Sequence, residues 1–264
     1  MNVLNLQGQL EMFSKNKVFL SAKRAGASPE LARQIAKDIE SHVQEGTKTS
    51  DIYKLVKKGL HRQDKSSGYR FTLKQAIKDL GPSGFPFEKY IADIYRAHGY
   101  NVKTNVKIKG EYATHEVDFI ARKNNEILVG ECKFRKSSSD NIDLKTVLRV
   151  YARRIDIIGG IYFKGAPIKP IIVTNSRFST QVVKYANGHD IKLLGWRYPK
   201  DGGLEQMIEA EKLYPITILP SFRKGLMNDF YREGIMLAKD VLKDIKVVDK
   251  NTLEKLRKEA QLII

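Results

Sequence analysis

The sequence predicts an α/β protein: a mixed β-sheet core with flanking helices, preceded by a mainly helical domain and followed by a small helical one. Three observations predict it. Two short β-rich runs, Val117 to Ala121 and Ile127 to Phe134, are split by a polar Arg-Lys-Asn-Asn stretch, which reads as a hairpin. Beyond them a helical pattern (Leu144 to Ile157), a buried strand (Pro170 to Asn175), a helix (Ser179 to Gly188) and a strand (Ile191 to Trp196) follow in turn. That β-β-α-β-α-β order fits a central sheet covered by helices. Finally, both ends of the chain differ in pattern from this middle.

The N-terminal region opens with Val3-Leu4-Asn5-Leu6 and Leu10-Glu11-Met12-Phe13, which can pair across Gln7-Gly8-Gln9. Ser28-Pro29-Glu30 supplies an N-cap, a proline at the first helical position and an acidic first turn. Leu31, Ile35, Ile39 and Val43 then recur at the helical period, and Gly46 ends the segment. Thr49-Ser50-Asp51 starts a second helix through Ile52, Leu55 and Val56, and a third runs from Thr72 to Leu80. The cluster Leu80-Gly81-Pro82-Ser83-Gly84-Phe85-Pro86 is dense in turn formers and marks a boundary. Tyr198-Pro199-Lys200-Asp201-Gly202-Gly203 marks another, after which Leu204, Met207, Ile208 and Leu213 begin a series of short helices. The expected domains are therefore 1–80, 81–200 and 201–264.

Composition narrows the function classes. No run of apolar residues is long enough for a membrane-spanning helix, and the N-terminus lacks the pattern of a signal peptide. A single cysteine, Cys132, forbids an internal disulfide and fits a cytoplasmic location. The histidines His42, His61, His98, His115 and His189 are scattered, with none paired at zinc-ligand spacing. The formal net charge is +17. Residues 1–80 carry 15 basic and 8 acidic side chains, residues 81–200 carry 21 and 11, and residues 201–264 carry 11 and 11. A basic surface attracts phosphate backbones through counterion release, although lysine-rich composition also serves solubility.

The candidate chemistry lies in the hairpin. Side chains alternate along a strand, so Glu131 and Lys133 share a face while Cys132 points the other way. Pairing the two strands brings Asp118 alongside, placing two carboxylates and one ammonium in a small volume. Such a group can hold a divalent cation and orient a water beside a phosphate. The apolar flank Ile127-Leu128-Val129-Gly130 indicates a central strand, where charges need a partner or an ion.

Asp118…Glu131-x-Lys133 resembles the PD-(D/E)XK signature of restriction-endonuclease-like nucleases in its Mrr-type form, with Val117 where the name has proline. Gly84-Phe85-Pro86-Phe87-Glu88 and Gly99-Tyr100-Asn101-Val102 are similar to the same family, and the resemblance covers about residues 80–200. It implies a restriction-endonuclease-like sheet, Mg²⁺- or Mn²⁺-dependent DNA cleavage, and catalytic roles for Glu88, Asp118, Glu131 and Lys133, with Asp118 and Glu131 on the metal. It implies further that the helix after the Glu-x-Lys strand faces substrate, which makes Lys145, Arg149 and Tyr151 candidate DNA contacts; for most of that helix's cations, Arg153 and Arg154 included, a solvated face is the alternative. Arg135 and Lys136, in a basic loop, are candidate phosphate contacts. His115 either meets a phosphate or makes an ordinary strand-entry hydrogen bond.

Residues 1–80 resemble an ATP-cone, a regulatory nucleotide-binding domain, through Phe13-Ser14-Lys15-Asn16-Lys17-Val18 and Ser21-Ala22-Lys23-Arg24-Ala25-Gly26-Ala27. The resemblance implies ATP contacts from Lys17, Lys23 and Arg24. The chain departs from that family at Asn5 and Leu6, where the family usually has two cations. Leu219, Leu226, Gly234-Ile235 and Leu242 loosely resemble helix-hairpin-helix repeats; a packing or dimerisation tail is the alternative. Two functions are expected to compete: a metal-dependent DNA endonuclease, possible nucleotide control included, and a non-catalytic nucleic-acid- or nucleotide-responsive protein on the same fold. Cutting both strands calls for two sites and hence a homodimer.

Overall fold

The computed structural model describes residues 1–81, 85–137 and 140–264, with Phe85 described by its backbone alone. Gly84 of the upstream motif, Pro82-Ser83-Gly84 of the boundary cluster, and Ser138-Ser139 of the basic loop lie outside the described residues.

In chain order the first elements are β1 (Asn2–Leu4), β2 (Leu10–Met12), α1 (Lys15–Arg24), α2 (Pro29–His42), β3 (Thr47–Lys48), α3 (Thr49–Gln63), α4 (Lys65–Arg70) and α5 (Leu73–Lys78). The central region follows as α6 (Phe85–Ala97), β4 (Asn101–Lys109), β5 (Thr114–Lys123), β6 (Glu126–Lys133), β7 (Asn141–Ile142), α7 (Leu144–Gly159), β8 (Lys169–Thr174), β9 (Arg177–Phe178), α8 (Thr180–Gly188) and β10 (Lys192–Leu194). The chain ends through α9 (Leu204–Ala210), α10 (Met227–Arg232) and α11 (Lys250–Gln261), with short 3₁₀ turns between them. Among the described residues no helix is long and apolar enough to cross a membrane.

The contacts divide the chain into two units, one of residues 1–76, 218–222 and 241–264, the other of residues 77–217 and 223–240. In the first, β1 pairs antiparallel with β2 and parallel with β3. Asn5 closes the hairpin, its Oδ1 accepting from the N–H groups of Gln7 and Gln9 at 2.9 and 3.0 Å. The expected caps are present: Ser28 accepts from the Leu31 N–H, with Pro29 at the start of α2. Val18, Ala22, Ile35, Ile39, Ile52, Val56 and Leu60 form the core of these helices. Small alanines on α1 and α2 let the helices approach closely.

The second unit is the mixed α/β body that the sequence predicts. Its five-stranded sheet runs β10-β8-β6-β5-β4, antiparallel from β4 to β6 and parallel from β6 to β10. Parallel neighbours need crossovers, and α7 and α8 provide them. The polar stretch between the runs becomes a tight turn at Asn124-Asn125, with Asn124 at φ 51°. β6 is the central strand: every residue from Ile127 to Cys132 is buried, the near-continuous run expected of a strand covered on both faces. Trp196 and the Tyr198–Gly203 segment do not form a free linker. The Leu204 and Glu205 N–H groups donate to the Gly195 and Trp196 carbonyls at 2.9 and 3.0 Å, which ties α9 to the end of β10. Residues 201–264 are accordingly shared between the two units instead of grouping as a body of their own.

Candidate active site

The site starts from a break in alternation. Val117 and Ile120 belong to one hydrophobic cluster with Ile108, Val129 and Ile157, although residues three apart on a regular strand face opposite ways. The β4–β5 ladder passes from Thr104↔Phe119 to Val106↔Val117 and skips Asn105 and Asp118. Asn105 takes φ 52°, a left-handed conformation that asparagine tolerates better than most residues. This local switch releases Asp118 from the ladder. Its Oδ2 then accepts the backbone N–H of Cys132 on β6 at 2.6 Å.

Glu131 stands on β6 on the same face as Lys133, as alternation requires, and is only 5% exposed. Three cations meet its carboxylate. Lys133 Nζ and Arg149 approach Oε1 at 2.6 and 2.5 Å, and Arg153 reaches Oε2 at 2.8 Å. Arg149 and Arg153 lie one turn apart on α7, which Asp143 caps by accepting from the Thr146 N–H. Burial works to raise the Glu131 carboxyl, but the Lys133 hydrogen bond and the nearby guanidinium charges outweigh it and hold the group below its ordinary value.

The other acids are shifted the opposite way. Burial, with the negative charge of Asp118 beside it, pushes Glu88 in the first turn of α6 up to about 7. Burial also raises Asp118, and Glu131 adds to the effect against the Cys132 N–H, Lys133 and Arg153. Cys132 points into the core and its thiol is pushed up by burial, so it is a packing residue and no nucleophile.

The structure therefore gathers Glu88, Asp118, Glu131, Lys133 and Arg149. His115 is held elsewhere: its Nε2 lies 2.6 Å from Asp156 Oδ2 on α7, and Asp156 also accepts the Tyr112 and Ala113 N–H groups at 2.9 and 3.2 Å. Tyr151 packs against α8, its ring 4.4 Å from His189 and 6.1 Å from Tyr185. Lys136 and Lys145 are exposed. Arg135 is pinned through its backbone, with Asn175 bonding both its N–H and its carbonyl at 2.8 Å. Lys17, Lys23 and Arg24 are exposed on α1 in the other unit, Lys17 lying 3.8 Å from Glu11.

Arg153 and Asp156 are the residues that sequence reasoning missed. With Arg149 they form a polar stripe at i, i+4 and i+7 along α7, a spacing visible in the sequence but shared with any solvated helix face.

A divalent cation is tested against this donor set. Among the described residues, no three His, Cys, Asp or Glu side chains converge to hold an ion by themselves. Asp118, however, makes no ion pair among the described residues; burial raises it with help from the charge of Glu131, and Glu88 is raised by burial with help from the charges of Asp118 and Glu131. Two hard carboxylates with remaining positions left to water and phosphate suit Mg²⁺ or Mn²⁺, which keep several such ligands.

Residues 81–196 match the family model Mrr_cat, described as a restriction endonuclease. An uncharacterized protein of Archaeoglobus fulgidus is 36% identical over 152 residues, which span 58% of this chain and 83% of that protein. The crystal structure of a protein of unknown function, AF1548, is similar at a TM-score of 0.55 and 31% identity, over 69% of this chain and 95% of the other. The MspJI restriction endonuclease in complex with a 27-mer oligonucleotide matches at a TM-score of 0.34 and 18% identity, over 55% and 35% of the two chains.

Proposed function

We propose, from the premise that residues 81–196 form a restriction endonuclease domain of the Mrr_cat family, that the chain is a metal-dependent endonuclease hydrolysing phosphodiester bonds in DNA. One observation carries the reading: Glu131 is 5% exposed on the central strand, with Lys133 on its own face and Asp118 on the adjoining strand. Burying charge is expensive unless it is paired, and a surface that only binds phosphate has no need of a buried acid.

Asp118 and Glu131 would hold Mg²⁺ or Mn²⁺, which supplies Lewis acidity and lowers the pKa of bound water. The chain's own groups do the rest. Lys133 places an ammonium beside the scissile phosphate, where it stabilises developing charge and orients the attacking water. Glu88, raised to about 7, exchanges a proton near neutral pH and serves as an additional acidic group. Arg135, Lys136, Lys145 and Arg149 contact the phosphate backbone and fix register without reading sequence.

Supercoiled plasmid with Mg²⁺ or Mn²⁺ tests the assignment. Wild type nicks or linearises it, and Asp118→Ala abolishes cleavage while the protein stays folded and still binds DNA. Cleavage at the wild-type rate by Asp118→Ala removes the site from consideration. A wild type that binds DNA without cutting under any metal establishes the binding-protein alternative. ATP contacts from Lys17, Lys23 and Arg24 and a homodimer are finer parts of the same proposal. Since neither Asn5 nor Leu6 is a cation, ATP should give little thermal protection of the folded state. Calorimetry reporting a micromolar dissociation constant would correct that expectation.

A further inference from the structure

Three cations around one carboxylate are more than neutralisation needs. Lys133 and Arg149 share a single oxygen of Glu131, at 2.6 and 2.5 Å, and Arg153 takes the other. Like charges gathered on one acid repel each other, so the attraction that holds each is partly offset by the other two. The three are not held equally. Arg153 is 15% exposed and has a second acceptor, the Glu116 carbonyl at 3.2 Å. Lys133 sits two residues from Glu131 on the same strand and is 25% exposed. Arg149 is 56% exposed, and among the described residues its guanidinium is held by Glu131.

A divalent cation held by Asp118 and Glu131 would add positive charge where cations already crowd. Of the three contacts to Glu131, that of Arg149 is the most open to water. Arg149 lies on the early turns of α7, close in sequence to the exposed Lys145. A guanidinium freed there keeps its charge and its planar fork, the geometry that pairs with a phosphate.

Resting on the nuclease reading above, we propose that Arg149 is a positioning latch: it neutralises Glu131 in the resting site, leaves when a divalent cation binds, and transfers to a backbone phosphate of the nucleic acid. Metal binding and phosphate binding are thereby coupled through one side chain. The coupling is reciprocal, since a phosphate that holds Arg149 away from Glu131 favours the metal by the same factor.

The test uses the full chain and two readouts other than cleavage. Mn²⁺ is titrated by calorimetry into wild type, Arg149→Gln, Arg154→Gln and Asp118→Asn. Arg154 is the charge control: it sits on the same helix but donates to the His189 carbonyl instead of Glu131. Arg149→Gln should bind Mn²⁺ about tenfold more tightly than wild type, the scale of one charge-assisted contact removed from competition. Arg154→Gln should stay within about threefold, as expected of screened charge at a distance. In the second readout, stopped-flow anisotropy follows duplex DNA binding at constant ionic strength and is read before product accumulates. Arg149→Gln should weaken DNA binding several-fold in Mn²⁺ and clearly less in EDTA, where the wild-type guanidinium still pairs with Glu131.

Unchanged or weaker Mn²⁺ affinity in Arg149→Gln, with Asp118→Asn abolishing binding, overturns the latch and leaves the nuclease reading standing. Equal loss of DNA affinity with and without metal overturns the transfer. Mn²⁺ binding that survives intact in Asp118→Asn overturns both the latch and the metal site on which it rests.

Discussion

Lys133 reaches Glu131 from two residues along the same strand, at 2.6 Å, and stays 25% exposed. It is buried enough to be held and open enough to meet a phosphate. A compact ammonium at that place can follow the charge that develops on the phosphate, whereas a planar guanidinium changes both reach and geometry. Lys133→Ala and Lys133→Arg should therefore each lower the plasmid cleavage rate by roughly 100-fold or more, the scale of one preorganised electrostatic contact. DNA affinity should fall far less, because the rest of the 47 basic residues share the backbone contacts. Robust cleavage in Lys133→Ala would end its catalytic assignment. Glu88 carries a pH signature of its own. Burial and Asp118 raise it from the ordinary 4.5 to about 7, so in that interval the folded state holds the proton more firmly than the unfolded chain. Stability then declines as pH rises from about 4.5 through 7, because the native state binds the extra proton. In EDTA, Glu88→Gln should melt close to wild type at pH 4 and clearly above it at pH 8. The same difference in melting temperature at both values would contradict the raised carboxyl.

At the level of elements, the hairpin shows what a sequence can and cannot convey. Its two strands, its polar turn and the shared face of Glu131 and Lys133 follow from alternation, which is local. The release of Asp118 depends on Asn105 at φ 52° in a neighbouring strand, and that is a tertiary event. The inward role of Arg153 was hidden for a related reason. A polar stripe on a helix reads the same whether water or a buried acid faces it, and only the packing of α7 over β6 decides. Tyr151 illustrates the converse: the family resemblance implied a substrate contact, and its ring packs against the aromatic group on α8. Gly130 ties these elements together. A Cβ there would lie 2.1 Å from Cε1 of Phe119, a fully buried ring next to Asp118. With the ring buried that close, Gly130→Ala should destabilise by about 1–3 kcal/mol or more, as overpacking does. Urea unfolding checks it, and cleavage should fall in the surviving folded protein because Phe119 displaces Asp118. A neutral Gly130→Ala substitution would show that the β5–β6 fit is looser than the structure has it.

For the molecule as a whole, charge was legible and grouping was not. The shift to neutral, helical composition after residue 200 suggested a separate domain, yet residues 201–264 divide between the two units. Segments as short as α9 and α10 bury too little apolar surface to stand alone and take their stability from what they pack against. Leu204, Ile208 and Phe230 are accordingly buried within the unit that holds the sheet. Charge needs no such tertiary knowledge, because it adds along the chain whatever the fold. The +17 excess falls on residues 1–200, the remainder being balanced at 11 basic and 11 acidic side chains. If that excess meets a DNA backbone, each neutralised phosphate releases condensed counterions, and affinity falls steeply with salt. Six or more such contacts would reduce the duplex affinity by about 10³ or more between roughly 50 and 200 mM salt. Anisotropy in EDTA measures this without cleavage, and the log–log slope counts the phosphates engaged. Substituting Lys136 or Lys145 by Ala should reduce that slope by about one each, uniformly across DNA sequences, as expected of backbone contacts. A nearly flat salt dependence would mean that the basic excess serves solubility, and the DNA contacts assigned to Arg135, Lys136 and Lys145 would have to be withdrawn.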